Sequence, residues 1–518
     1  MEKTGELYLP ADFHVGRAGD LDGTDRALYR LFEIFPGFLS WLTLVGVVFL
    51  SFFAPAIAAY LIIAFSLFWL LKTVYLSIHV RHNWRRLRHH MNADWTLMLS
   101  RFKHDHLWHL VLLPYYKESY KTVESTMKAL AEVHGDTKRL IVVLAPEARA
   151  GHEARAIAER LLKTFSMTFG HMFVSVHPKD THGEMAGKGA NIAHAAEMAR
   201  LQILDPHGIP YEDVIVSAFD IDTIVYPQYF QCLTWHFLTT EEPHKASYQP
   251  VPLYNNNIWE APSFSRVAAT SGTFWQMIQQ ERPEKLATFS SHAVSFKALH
   301  EVGYWQKNMV SEDSRIYWNL LFAHNGDYRV VPLSYPVSMD ANCAPTTWKT
   351  FQNIYKQNRR WTYGVENVPY ILYHSIKNKR FPFFKKVRLA WVQIEGFWSL
   401  ATHPIVLFSL GWLPLLVGGR EFSSTILSYN LPIVARTFLT LAMGGLVVSA
   451  IISTALLPER PAHQTRTKYV GMLLQWILVP VTMIVFSAIP GLDAQTRLMF
   501  GRYMNFWVTP KYAQPSTE

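Results

Sequence analysis

Cysteine is almost missing from this 518-residue chain, and charge is thin. The only cysteines are Cys232 and Cys343, which excludes a disulfide framework and suits a reducing compartment. Charged residues make up 17% of the chain against 50% hydrophobic and 14% aromatic, a balance low in charge for an ordinary soluble domain. No charge at all occurs between Glu33 and Lys72, enough for two membrane spans at about 20 residues each. That run starts too late and is too long for a cleaved signal peptide. A Walker phosphate loop is missing as well. Gly183-Glu184-Met185-Ala186-Gly187-Lys188-Gly189-Ala190-Asn191 has one residue too few between its glycines and no Ser or Thr after Lys188.

The apolar residues that are present gather in long blocks near both ends, while the middle has a soluble composition. This reads as a cytoplasmic domain inserted between membrane helices. The expected order is a cytoplasmic arm over 1–34, two spans within 35–78 (36–53 and 55–77), and a basic juxtamembrane segment over 79–104. A catalytic domain follows over 105–365, then an amphipathic interface segment over 366–395, three spans within 396–492 (396–419, 437–458 and 469–492), and a tail over 493–518. Pro36 and Pro55 are expected in the first turns of the first two spans. The net charge of +9 sits beside the apolar blocks, notably at Arg81, Arg85, Arg86 and Arg88, which fits the positive-inside rule and not a nucleic-acid surface. The basic loop from Arg460 to Lys468 is expected on the same side. Five spans place the tail outside, where Arg497, Arg502 and Lys511 are out of keeping with that rule. No buried ionisable residue marks a transport path inside the last three spans, so the sequence alone does not demonstrate a polymer channel. His104, His106 and His109 lack metal-ligand spacing and read as juxtamembrane residues.

Between the blocks, apolar runs alternate with helical periodicity, the pattern of a parallel sheet covered by helices. Strands are expected at Leu110–Pro114, Leu140–Ala145, His171–Val176 and Val214–Ala218, with helices near 119–133, 151–166 and 188–202. A short strand from Tyr328 to Val331, ended by Pro332, comes later. Ligands of such sheets bind beyond the carboxyl ends of the strands. Those ends carry Tyr115-Tyr116-Lys117-Glu118, Pro146-Glu147-Ala148-Arg149 and Asp220-Ile221-Asp222. Paired carboxylates at the last suit a hard divalent cation held against a diphosphate, although such pairs are also common in solvated turns. Gly187 and Gly189 let the backbone turn closely into a helix, with Lys188 and Asn191 facing the same crevice. Lys188 is a candidate phosphate contact; packing glycines and a solvated lysine are the alternative. Ser311-Glu312-Asp313 opens a helix, where acids favour the dipole. Gln357-Asn358-Arg359-Arg360-Trp361 joins an amide, a cationic fork and a stacking plane, fit either for a diphosphate beside a sugar or for a membrane-interface anchor.

Pro114-Tyr115-Tyr116-Lys117-Glu118, Asp220-Ile221-Asp222, Ser311-Glu312-Asp313 and Gln357-Asn358-Arg359-Arg360-Trp361, in that order over 105–365, resemble the motifs of the membrane-bound family 2 glycosyltransferases, the group of cellulose and hyaluronan synthases. The resemblance implies an α/β fold of the GT-A, Rossmann-like kind and inverting transfer from a nucleotide sugar, expected to be a UDP-sugar, to a growing polysaccharide in the cell (inner) membrane. It implies that Asp220 and Asp222 handle the donor diphosphate through Mg2+ or Mn2+, with Asp222 the direct ligand. It further implies Asp313 as general base, and Gln357, Arg360 and Trp361 at the leaving diphosphate and acceptor. Pro114, Tyr116, Glu118, Glu147, Lys188 and Asp220 are the expected donor-site residues. The family commonly has an aspartate after the second strand, where this chain has Glu147, which puts the base contact and the preference for uridine in question. Two other readings stay open: a non-processive transferase acting on a polyprenyl-phosphate or glycolipid, and a transporter or scaffold with an inactive transferase domain.

Overall fold

A computed structural model describes residues 6–512 apart from 463 and 466. The outermost residues of the expected arm and tail, 1–5 and 513–518, and two residues of the basic loop lie outside the described part. The centre of the molecule is an eight-stranded mixed sheet in the order β3-β2-β1-β4-β7-β6-β8-β5. Its parallel half is β1 (Trp108–Tyr115), β2 (Leu140–Pro146), β3 (His171–Val174) and β4 (Val214–Ala218). β2 and β4 are buried along their whole length, because helices cover both faces of a parallel sheet and leave no polar face to the strands. The helices Tyr120–Ala131, His152–Phe165 and Lys188–Ala199 fall where the periodicity places them. After β1 the chain runs outward to β2 and β3, then returns to pair β4 on the other side of β1. The crevice between the carboxyl ends of β1 and β4 is the switch point at which such sheets bind ligands.

The other half is less regular. β5 (Ile224–Val225), β6 (Ala246–Leu253) and β7 (Ala293–Ser295) extend the sheet. β8 runs from Arg329 to Ser338, straight past Pro332 and Pro336, so the expected stop at Pro332 does not occur. A register shift opposite Gln249–Val251 and the left-handed backbone of Ser334 (φ 46°) break the ladder there. Proline is accommodated in strands at such bulges.

Among the described residues, four helices are long and apolar enough to cross a membrane: Gly23–Phe53, Pro55–Asn92, Ile426–Ala455 and the kinked Thr467–Met499. The expected span 396–419 is not one of them: the helix Phe383–Ile405 carries Lys385, Lys386, Arg388 and Glu395 and then breaks into short turns through Ser423. Pro55 opens its helix, but Pro36 lies inside one that begins at Gly23. The basic segment after residue 78 continues the second helix onto the sheet domain, where Asn83 donates to Glu281 at 3.0 Å. In the expected amphipathic stretch Phe383 and Phe384 are exposed, whereas Phe381 is buried against Gly326 and Phe322. Lys72 of the helix Pro55–Asn92 donates to Glu395 at 2.9 Å and to Ser399 at 2.7 Å on the helix Phe383–Ile405.

Thr467–Met499 touches the sheet domain along its length. Gln475 accepts from Arg266 at 2.7 Å, and Asp493 accepts from Arg359 at 2.9 Å. The described residues that follow it turn back over the domain, where Phe506 packs under Arg360 and Lys511 donates to Asp222. Lys511, one of the charges out of keeping with an outer tail, is thus paired on the domain itself.

Arg315 fastens the arm to this assembly. Its fully buried guanidinium donates to Asn367 Oδ1 (2.6 Å), Val15 O (3.0 Å), Gln306 Oε1 (3.1 Å) and Glu366 O (3.2 Å). All four acceptors are left short of a donor if the guanidinium is removed, and each buried acceptor left unsatisfied costs about 1–3 kcal/mol. Arg315→Met is therefore expected to lower the thermal midpoint of the detergent-solubilised protein clearly; an unchanged midpoint would show that these bonds carry little stability.

Candidate active site

The turn after β4 aims two carboxylates into the switch-point crevice. Thr223 N–H closes it on Asp220 O (2.9 Å), while the buried Ile221 offers its carbonyl to Thr126 Oγ1 (2.6 Å). Asp220 Oδ1 accepts from Lys188 Nζ at 2.6 Å and Oδ2 from Ser290 Oγ at 2.7 Å. Lys188 also pairs with Asp313 at 3.0 Å. One buried ammonium thus ties the β4 turn to the first turn of the helix Glu312–Ala323, nearly a hundred residues further on. Burial alone pushes Lys188 down and Asp220 up. Their mutual charge outweighs it, leaving Lys188 raised and Asp220 well below the usual carboxylate range. His292, fully buried, stands 3.8 Å from Asp313.

Lys188 reaches this position because its helix starts very close to its neighbours. A Cβ on Gly189 would stand 2.8 Å from Gln306 O and 2.9 Å from Glu312 Cβ, and one on Gly187 2.7 Å from the Phe506 ring. The glycines do set a close approach, as expected, but the lysine bridges carboxylates and is not solvated. Asn191 donates to Ala145 O at 2.7 Å, at the end of β2.

Asp222 is buried and carries a second lysine. Its Oδ2 accepts from Lys511 Nζ at 2.5 Å and from Asp340 N–H at 3.0 Å, while its Oδ1 is buried without a partner among the described residues. Asp340 is pushed up to about 6 by burial and by Asp222. Neither Lys511 nor Asp340 was assigned to the site from the sequence. The misplaced positive charge of the tail was the one available signal for Lys511, and Asp340 left none.

Around these groups lie the other expected residues. Pro114 is in β1 opposite Ala145. Glu118 accepts from Tyr116 N–H at 2.7 Å, and burial raises its carboxyl. Glu147 is held by Arg149, whose guanidinium lies 4.6 Å from the centre of the Tyr116 ring. On the helix Thr347–Thr362, Arg360 stands 4.7 Å over Phe506, with its Nε buried and unpartnered among the described residues. Trp361 packs by Tyr254 and Phe289, at 6.1 and 6.0 Å between ring centres. Together with Gln357, Asp340 and Asn342, Trp361 lines a narrow cleft.

Glu312 is 1% exposed, and its carboxyl is pushed up to about 8, first by burial and then by Asp313. The folded protein therefore keeps a proton that the unfolded chain releases near 4.5. Its contribution to stability falls as pH rises from about 4.5 to about 8 and is flat beyond. Glu312→Gln is expected to flatten that part of the curve of thermal midpoint against pH; an unaltered slope would remove Glu312 as its source.

Residues 215–447, a little under half of the chain, match the family described as glycosyl transferase family group 2. No curated protein matches the sequence. Similar solved structures include the mannosyltransferase PcManGT from Pyrobaculum calidifontis in complex with GDP-Man and Mn2+, at 13% identity and a TM-score of 0.43, covering 76% of this chain and 98% of that one. Another is S. aureus TarS 1-349 in complex with UDP-GlcNAc, at 11% identity and a TM-score of 0.32, covering 67% of this chain and 91% of that one.

Proposed function

We propose that this chain, a glycosyltransferase built on a GT-A-type sheet, moves a sugar with inversion from a nucleotide sugar, of the UDP kind, to the hydroxyl of a growing polysaccharide. The observation that carries the reading is the convergence of Asp220, Asp222, Asp313 and Arg360 on the crevice beyond β1 and β4. In this reading the domain is cytoplasmic and the protein belongs to the cell's inner membrane, in keeping with the basic residues that follow the second long helix.

The reaction forms a bond from the acceptor oxygen to the anomeric carbon and breaks the bond from that carbon to the diphosphate oxygen. Asp313 takes the acceptor's proton. Lys188, fixed between Asp220 and Asp313, sets the spacing of donor and acceptor sides. Glu312, held neutral up to about pH 8, adds no competing charge beside Asp313. Arg360, with a buried donor to spare, meets the negative charge that grows on the leaving diphosphate. Trp361 and Tyr254 give an acceptor sugar an apolar wall.

The unpartnered Oδ1 of Asp222 fits a divalent ion, as does its neighbour Asp340. Asp222 would hold the ion, with Asp220 on the donor diphosphate. Mg2+ or Mn2+ there supplies Lewis-acid neutralisation of the diphosphate. Lys511 occupies the other oxygen of Asp222 and would have to yield or share it. Tyr116, Glu118 and the Arg149-held Glu147 border the place for the nucleotide base.

Three measurements bear on the reading. In a screen of nucleotide sugars with detergent-purified protein, release of nucleoside diphosphate is expected for one donor, and long products identify polymerisation; a single-sugar product on a polyprenyl-phosphate or glycolipid favours the non-processive form. Asp313→Asn is expected to lower turnover by about 10² to 10⁴, the usual worth of a general base, with donor binding kept; full turnover removes Asp313 from that role. Asp222→Asn is expected to abolish the difference in donor affinity with and without chelator; if the unmutated protein shows no such difference, the metal role fails.

A further inference from the structure

A second polar cavity, of about 430 Å³, lies away from the crevice and is lined by Arg17, Ala18, Gly19, Arg26, Arg30, Gly501 and Tyr503. We propose that it binds a phosphate-bearing anion and that the bound anion fastens the root of the C-terminal tail.

The cavity is built, and not merely basic. Arg30 donates to Glu33 at 2.6 Å, to Leu498 O at 2.9 Å and to Met499 O. The buried Glu33 also accepts from Ala18 N–H and from Tyr503 O–H, each at 2.9 Å. This pair forms the wall that joins the N-terminal arm to the end of the helix at Met499. Three of Arg30's donors are thereby used, while Arg17 and Arg26 keep most of theirs. Among the described residues Arg17 has a 3.4 Å contact to Asp20 and the face of Tyr503 at 5.6 Å. Arg26 makes no side-chain bond among the described residues. The acids nearby are mostly engaged. Asp20 accepts from the backbone of Gly16 and Arg17 at 2.9 and 3.1 Å and from Asn308 at 3.2 Å, and Asp25 pairs with Lys377 at 2.7 Å. Asp22 stands at the N-cap position of the helix with no side-chain cap bond and does not line the cavity.

Two guanidinium forks with free donors, facing one concave space, match the oxygens of a phosphate or phosphodiester. The volume suits a lipid headgroup or a pyrophosphate. Exposed apolar side chains begin just beyond, at Leu31, Phe38 and Leu42, so the cavity lies at the polar edge of the first long helix. It is also continuous with the segment that reaches the active site, since Gly501 and Tyr503 are its wall while Phe506 and Lys511 contact Arg360 and Asp222.

The test uses the full chain in neutral detergent and follows thermal stabilisation against added inorganic pyrophosphate and, separately, short-chain phosphatidylglycerol, with phosphatidylcholine as the uncharged reference. Arg17→Gln/Arg26→Gln is compared with Arg360→Gln, because pyrophosphate also resembles the leaving group at the active site. The expected result is anion-dependent stabilisation that is kept in Arg360→Gln and weakened about tenfold or more in Arg17→Gln/Arg26→Gln, as for loss of two charge-assisted contacts, with the midpoint without ligand unchanged. A response to the lipid alone assigns a membrane source, and one to pyrophosphate alone a soluble source. Equal responses in the double variant and the unmutated protein, or none beyond phosphatidylcholine in either arm, overturn the proposal. Donor turnover is measured separately, so a failure here leaves the transferase reading standing.

Discussion

The whole site depends on one buried ammonium. Lys188 touches Asp220 and Asp313, residues far apart in sequence and on different elements. A lysine with only 8% of its surface exposed is tolerable because two carboxylates compensate for its lost hydration. The same contact fixes how far the turn after β4 stands from Asp313. Gly187 and Gly189 are the condition for it, since any side chain there would collide with Phe506, Gln306 or Glu312. Local packing, electrostatics and the proposed chemistry meet in that single residue.

A second ammonium, Lys511, repeats the arrangement on Asp222 and brings the segment 500–512 into the site. That segment is therefore a part of the sheet domain's surface. Its root is anchored by Arg30 and Glu33, and its later residues by Arg360 through Phe506 and by Asp222 through Lys511. The long apolar helices and the site are connected through it, as they are through the long second helix that runs from the apolar block onto β8, where His90 meets Leu333 O at 2.7 Å.

Much of this was legible in the sequence for a physical reason. Strands buried on both faces leave uninterrupted apolar runs, so β1 to β4 and the helices between them stand out, and Asp220-Ile221-Asp222 falls at the end of the fourth. The other half, where pairing is mixed, was hidden because the parallel pair β6 and β8 hold prolines that a bulge accommodates, a feature that no local pattern displays. Lys188 was visible as a charge near glycines but not as a bridge, since its partners are distant in the chain. The expected span 396–419 misled in another way, since its apolar length does not show that the charged helix Phe383–Ile405 runs into it and that short turns follow. Nor does apolar length reveal that Gln475 and Asp493, near opposite ends of one helix, bond to the sheet domain.

The central claim is single displacement at one crevice, with Asp313 on the acceptor side and the diphosphate opposite. Anomeric configuration of the transferred sugar, read by nuclear magnetic resonance on the product of an accepted donor, tests it most directly. The account predicts a configuration opposite to that of the donor. A retained configuration would contradict it.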